Sequence, residues 1–97
     1  MRWEHETRTA AQQASWDIVE TDGVSDYHGW GVHLLRRGDE WAVLPWSYGS
    51  CSGCDRYEDE CPYDATPEQC YAVFGDLIEI CKDEEDARMQ FSSRKGW

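Results

Sequence analysis

Residues 28–46 read HGWGVHLLRRGDEWAVLPW, and this stretch decides the fold of the chain. In its first half apolar residues alternate, so that Trp30, Val32 and Leu34 share one face of a predicted strand and His33 lies on the other. The sequence RGD then has the turn residues of a hairpin connection, and EWAVLPW is rich in residues that favour strands. The stretch therefore predicts two antiparallel strands.

The residues before this hairpin predict one more strand and a helix. Trp16 and Ile18 alternate with a polar residue, and Val19 continues the apolar pattern up to the turn signal TDG. With the hairpin, residues 16–47 then form a three-stranded antiparallel β-meander. The polar, alanine-containing segment 4–14 predicts a short N-terminal helix.

A second helix is expected after the meander. Thr66 is placed as its N-cap, Pro67 as its first residue and Gln69 as the reciprocal capping partner. The following apolar residues recur at helical spacing: Cys70, Phe74, Leu77, Ile78 and Cys81. We expect this helix to cover about residues 67–82, or more, and to pack on the meander. The predicted fold is α+β, in a single domain of residues 1–97.

The net charge of the chain limits the classes of partner that it can bind. The 97 residues include 9 basic and 20 acidic side chains, which gives a net charge of −11. Such a surface repels phosphates and anionic lipids, so the composition disfavours direct binding of nucleic acid or of a membrane surface. No apolar run reaches the length of a membrane span, and the first residues lack the apolar region of a signal peptide. We expect a cytoplasmic protein.

Motifs for catalysis are missing from the sequence. There is no Gly-rich phosphate loop, no G-x-S-x-G and no H-E-x-x-H. Abundant carboxylates do not make a catalytic acid–base pair unless burial shifts their pKa values. We therefore expect a non-enzymatic protein.

Acidic residues are the first candidates for a binding site. On the predicted second helix, an acidic stripe lies opposite the apolar face and consists of Asp76, Glu79, Asp83 and Asp86. The segment before this helix adds further candidates: Tyr57, Glu58, Asp59, Glu60 and Tyr63. Together they would meet a partner protein with a basic surface, with Tyr57, Tyr63 or a tryptophan as anchor. That partner is a nucleic-acid-binding protein if the carboxylates imitate phosphates, whereas the plainer alternative is a solvated surface.

Cysteines are the second candidates. The workable ligand set for a zinc site is Cys51, Cys54, Cys61 and Cys70, of which the first two have C-x2-C spacing. Cys81 is excluded, because on the predicted helix it lies roughly 16 Å from Cys70. A thiol-redox pair and a plain turn with small buried thiols are the alternatives. The odd number of five cysteines argues against a disulfide framework.

The segments DYHGWG and GDEWAVLPWSYGSCSGCD carry a resemblance. Over about residues 26–58 the chain resembles small uncharacterised proteins encoded by actinobacterial phages. This resemblance implies an accessory protein in the host cytoplasm that inhibits a host or defence protein. It supplies no binding residues.

Overall fold

The computed structural model describes residues 3–23, 29–48 and 65–94, and the fold is given for these ranges. The elements in chain order are α1 (Glu4–Gln13), β1 (Asp17–Gly23), β2 (Gly29–Arg37), β3 (Glu40–Tyr48), α2 (Pro67–Phe74), a 3₁₀ turn (Gly75–Leu77), β4 (Glu79–Cys81) and α3 (Glu84–Arg94). The α+β class, the β-meander and the N-terminal helix predicted from the sequence are confirmed.

The four strands form one antiparallel sheet in the order β1-β2-β3-β4. β2 and β3 pair continuously from Gly29 opposite Tyr48 to Arg37 opposite Glu40, which leaves a two-residue turn. The first turn residue, Gly38, has a φ of 61°. A glycine at this position of a two-residue hairpin is the arrangement of a type II′ turn, whose twist matches that of the flanking strands.

Helices cover both faces of the sheet. On one face α1 and α2 pack against alternate residues of β2 and β3, and this side holds two core clusters. They consist of Trp3, Ala10, Trp46, Cys70 and Phe74, and of Ala11, Trp16, Leu35, Ala42 and Leu44. On the opposite face α3 covers a third cluster, made of Val32, Leu34, Val43, Ala87 and Phe91. The nearly continuous apolar runs of β2 and β3 therefore match a sheet that is buried on both sides.

Arg37 fixes the end of α1 against the sheet. Its Nη1 donates a hydrogen bond of 2.8 Å to the carbonyl of Ala14, just after the last helical residue. Its guanidinium lies 4.1 Å from the ring centroid of Trp16, which is buried below it. A cation that satisfies a free carbonyl at a helix C-terminus also interacts favourably with the helix dipole.

The predicted second helix starts correctly and ends early. Thr66 Oγ1 accepts from the N–H of Gln69 at 3.2 Å, and Gln69 Oε1 accepts from the N–H of Thr66 at 2.8 Å, so the predicted capping box is present. The helix ends at Phe74, however, and its predicted continuation to about residue 82 is wrong.

α2 ends early because the residues that follow it pair with β3 as a fourth strand. Residues Glu79–Cys81 form β4, which pairs with Val43, Ala42 and Trp41 on the side of β3 away from β2. A continued helix would leave these groups of β3 without this backbone partner. The chain then turns into α3, an 11-residue helix on the other face of the sheet. None of the helices in the described ranges is long and apolar enough to cross a membrane.

Candidate partner-binding surface

The four carboxylates of the predicted acidic stripe lie on separate elements. Asp76 is in the 3₁₀ turn, Glu79 opens β4, Asp83 precedes α3, and Asp86 is in the first turn of α3. The prediction of one continuous helical stripe is wrong, because the helix that would carry it ends before Asp76. The role of these residues in partner binding stays a prediction.

Two of these carboxylates also hold the start of α3. Asp83 Oδ1 accepts a hydrogen bond of 2.9 Å from the backbone N–H of Asp86, as an N-cap residue does. Asp86 Oδ2 in turn accepts from the backbone N–H of Lys82 at 3.0 Å. Both charges also lie at the end of the helix where the dipole favours an anion. Part of the acidity at this site therefore has a structural purpose.

Two shallow depressions share Asp86, one at the start of α3 and the other between β4 and α3. One is lined by Lys82, Asp83, Glu85, Asp86 and Met89. The other is lined by Glu79, Ile80, Cys81, Asp86 and Gln90. We call these residues together the β4–α3 surface.

Two large apolar side chains are exposed on the β4–α3 surface. Ile80 and Met89 are each 62% exposed, compared with 41% for Val19 and 45% for Tyr71 elsewhere. Single exposed apolar residues are common on proteins, and these two line two depressions that share Asp86. Sequence reasoning missed both. Ile80 lies outside the helical spacing of its neighbours, and Met89 belongs to a helix that was not predicted as a separate element.

The charge of this region is negative. Arg88 is engaged by its own helix, because its Nε lies 2.8 Å from Glu84 Oε2. Its guanidinium also lies 5.7 Å from the ring centroid of Trp41. Among the residues that line the two depressions, Lys82 is the basic side chain, facing several carboxylates. An approaching cationic group therefore meets a net negative surface.

The remaining predicted partner-binding residues lie outside the described residues. These are Tyr57, Glu58, Asp59, Glu60 and Tyr63. Their contribution to binding stays a prediction. The chain re-enters the described part at residue 65, just before α2.

Of the four cysteines predicted as zinc ligands, Cys70 lies within the described residues. Cys70 is 2% exposed and packs in the core with Trp3, Trp46 and Phe74. Cys51, Cys54 and Cys61 lie outside the described residues. Within the ranges that are described, no group of three or more His, Cys, Asp or Glu side chains is placed to hold a metal ion. The zinc site and the thiol-redox pair both stay predictions.

His33 is a buried polar residue in the core between α1 and the sheet. Its Nε2 lies 2.9 Å from Thr7 Oγ1 on α1, and its Nδ1 lies 2.7 Å from Thr21 Oγ1 on β1. Its ring also packs against Trp46, with the ring centroids 4.7 Å apart. The sequence placed His33 on this face of its strand but contained no signal for partners 26 and 12 residues away.

The hydrogen-bond pattern assigns the proton of the neutral imidazole. The Thr7 hydroxyl donates to the carbonyl of Trp3 at 2.6 Å, so its oxygen accepts from His33 Nε2–H. Nδ1 is then the acceptor for the hydroxyl of Thr21. Burial, with a further contribution from the charge of Arg8, lowers the pKa of His33 from 6.5 to about 4. The imidazole is therefore neutral near pH 7 and serves to join α1, β1 and β2.

Comparison of the chain with protein-family models, with curated proteins and with solved structures found no match.

Proposed function

We propose that the protein is a non-enzymatic interaction module whose β4–α3 surface binds a partner protein with a basic surface. The observation that carries this proposal is the placement of Ile80 and Met89, both 62% exposed, on two acidic depressions that share Asp86. Apolar contacts surrounded by charged groups are the usual arrangement of a protein interface. The apolar groups supply burial, and the charges orient the partner and speed its approach.

The free energy gained by burying Ile80 and Met89 can be compared with the binding free energy of a stable complex. Burying one Ile or Met side chain contributes roughly 1.5–3 kcal/mol. A micromolar complex requires about 8 kcal/mol after the entropy lost on association. Ile80 and Met89 are therefore too few to account for such a complex. We expect the carboxylates of the β4–α3 surface to contribute, together with Tyr57 and Tyr63 as anchors.

We further propose a partner in the host cytoplasm. The resemblance to actinobacterial-phage proteins supports a host or defence protein as the target, with this chain as its inhibitor. The net charge of −11 supports a target with a basic surface. A nucleic-acid-binding protein fits this description, because carboxylates at its groove would occupy the positions of phosphates.

The experiment that tests the proposal is affinity capture from host lysate, with quantitative mass spectrometry of the bound proteins. The test variant combines Ile80→Ser with Met89→Ser. The matched control combines Val19→Ser with Tyr71→Ser, which removes exposed apolar side chains from other parts of the surface. We expect the test variant to lose at least about tenfold of a specifically captured protein, the equivalent of about 1.4 kcal/mol. Equal capture by both variants would exclude this surface as the binding site.

A further inference from the structure

The cluster of Thr7, His33 and Thr21 connects α1 to the sheet at one buried point. Thr7 and His33 are fully buried, and each of the two imidazole nitrogens has one threonine hydroxyl as its partner. The bond to Thr21 uses the lone pair of Nδ1, which is the atom that takes up a proton when imidazole becomes imidazolium. Protonation therefore acts directly on this contact.

We propose that this cluster is an acid-sensitive latch, in which a proton taken up by Nδ1 of His33 releases α1 from the sheet while α3 stays in place. The proton comes from solvent. Nδ1–H then becomes a donor, so the Thr21 hydroxyl hydrogen that pointed at Nδ1 has to turn away. Thr7 still accepts from Nε2–H, and the Thr21 oxygen now accepts from Nδ1–H, so the second hydrogen bond reverses its direction. The destabilising change is the positive charge that is created in the core.

The surroundings of His33 do not stabilise this positive charge. From α1 the nearby charged group is Arg8, which disfavours the imidazolium, and its Nη2 lies 3.9 Å from Glu4 Oε2. A hydrogen bond with the backbone of Glu4 acts in the opposite direction but is the smaller effect. From the sheet, the residues paired with His33 are Thr21 and Leu44, neither of which can supply a negative charge.

The position of the cluster explains why α1 should respond first. Thr7 is the residue of α1 that contacts His33, so the buried charge forms directly beneath this helix. α3 lies on the opposite face of the sheet, where it packs on Val32, Leu34 and Val43. That face holds no His33 contact among the described residues. Local opening of one element below the global unfolding energy is common in small domains.

The experiment is amide hydrogen exchange of α1 and α3 between about pH 7 and about pH 4, corrected for the intrinsic exchange rate at each pH. A shift in the pKa of His33 from 6.5 to about 4 makes opening of α1 easier by about 100-fold between about pH 7 and about pH 4. We expect this increase for the amides of Glu4–Gln13 and a much smaller one for those of Glu84–Arg94.

Matched variants isolate the histidine. The 20 acidic residues titrate over part of the same range, so the informative quantity is the difference between the wild type and His33→Gln, which cannot be protonated there. His5→Gln, at an exposed position of the same helix, is the control and should behave as the wild type. If His33→Gln does not fold, ¹⁵N NMR of the wild-type ring nitrogens replaces it. Their titration should then coincide with the opening of α1.

Two results would overturn the proposal. One is simultaneous opening of α1 and α3 in acid, which would mean that the whole domain unfolds as a unit. The other is an acid-induced opening of α1 that is equal in His33→Gln and the wild type, or that does not coincide with the titration of the His33 ring.

Discussion

The carboxylate of Asp83 accepts a hydrogen bond of 2.9 Å from the backbone N–H of Asp86, so one residue of the acidic surface is also the N-cap of α3. The negative charge of Asp83 and its capping oxygen are separable, because asparagine keeps the oxygen and removes the charge. Tests of the β4–α3 surface therefore need substitutions that preserve the start of α3. Otherwise, a variant that loses the helix cap and a variant that loses a binding contact would both show weaker binding, and the two causes could not be told apart.

The Asp83 cap predicts a clear difference between two variants. Asp83→Ala removes the acceptor and should lower the free energy of unfolding by about 1 kcal/mol. Asp83→Asn keeps the acceptor and should change it by less than about 0.5 kcal/mol. Urea denaturation measures both. Equal losses in the two variants would mean that the charge, rather than the capping bond, stabilises this helix.

The lowered pKa of His33 predicts that stability falls in mild acid. The unfolded chain takes up the proton near pH 6.5, whereas the folded chain resists it until about pH 4. The contribution of this residue to stability is therefore fully present above pH 6.5 and is lost as the pH falls from 6.5 to about 4. The loss over this range should be about 3 kcal/mol, measured by urea denaturation at a series of pH values.

A variant separates this effect from the titration of carboxylates. His33→Gln should lower stability near pH 7 but should show a smaller decrease between about pH 6.5 and about pH 4 than the wild type. A wild-type profile parallel to that of the variant would show that His33 is not the residue responsible.

Gly31 and Gly38 should differ in their tolerance of a side chain. A Cβ at Gly31 would lie 2.1 Å from Cζ2 of the buried Trp46, so Gly31→Ala forces this ring to move. We expect a loss of about 1–3 kcal/mol or more from this overpacking. Gly38 has open space around it and a φ of 61°, so Gly38→Ala should cost only the backbone strain of about 1–2 kcal/mol. Thermal unfolding would contradict this account if Gly38→Ala were the more destabilised of the two.

The zinc hypothesis predicts a stoichiometric metal. Elemental analysis of untagged protein should find about one zinc per chain, lost in Cys51→Ser together with part of the stability. Cys81→Ser is the control, because Cys81 lies on β4 and packs near the face covered by α3. Metal-free wild-type protein, with unchanged stability of Cys51→Ser, would exclude the zinc site and leave the thiol-redox pair and the plain turn as explanations of the C-x2-C spacing.

Local signals predicted those parts of the fold that local interactions determine. Alternation in β2 identified which of its side chains share a face, and the Thr66–Gln69 capping box identified the first turn of α2. Both depend on residues that are adjacent in sequence. The end of α2 is different, because Ile78 and Cys81 have helical spacing from Phe74, and only pairing with β3 makes this segment a strand.

The same distinction applies to the candidate site. The acidic character of residues 76–86 is evident in the sequence, but its distribution over a 3₁₀ turn, a strand and a helix depends on the tertiary fold. The apolar part of the surface consists of Ile80 on β4 and Met89 on α3, which line two depressions that share Asp86. No periodicity in the sequence links these two residues.

The central claim is that the charges of the β4–α3 surface bind a basic partner. The most direct test is calorimetric titration of the captured partner at two salt concentrations with two charge-matched triple variants. The test variant combines Glu79→Gln, Glu85→Gln and Asp86→Asn. The control variant, at exposed positions of β1 and α2, combines Asp17→Asn, Glu20→Gln and Glu68→Gln.

The two variants lose the same formal charge, so a general effect of net charge would act on both. We predict that the test variant weakens binding by at least about tenfold and reduces its dependence on salt, because contacts made by the removed carboxylates are lost. The control should stay within about twofold of the wild type. Equal affinities for the two variants, with the same salt dependence, would contradict the claim.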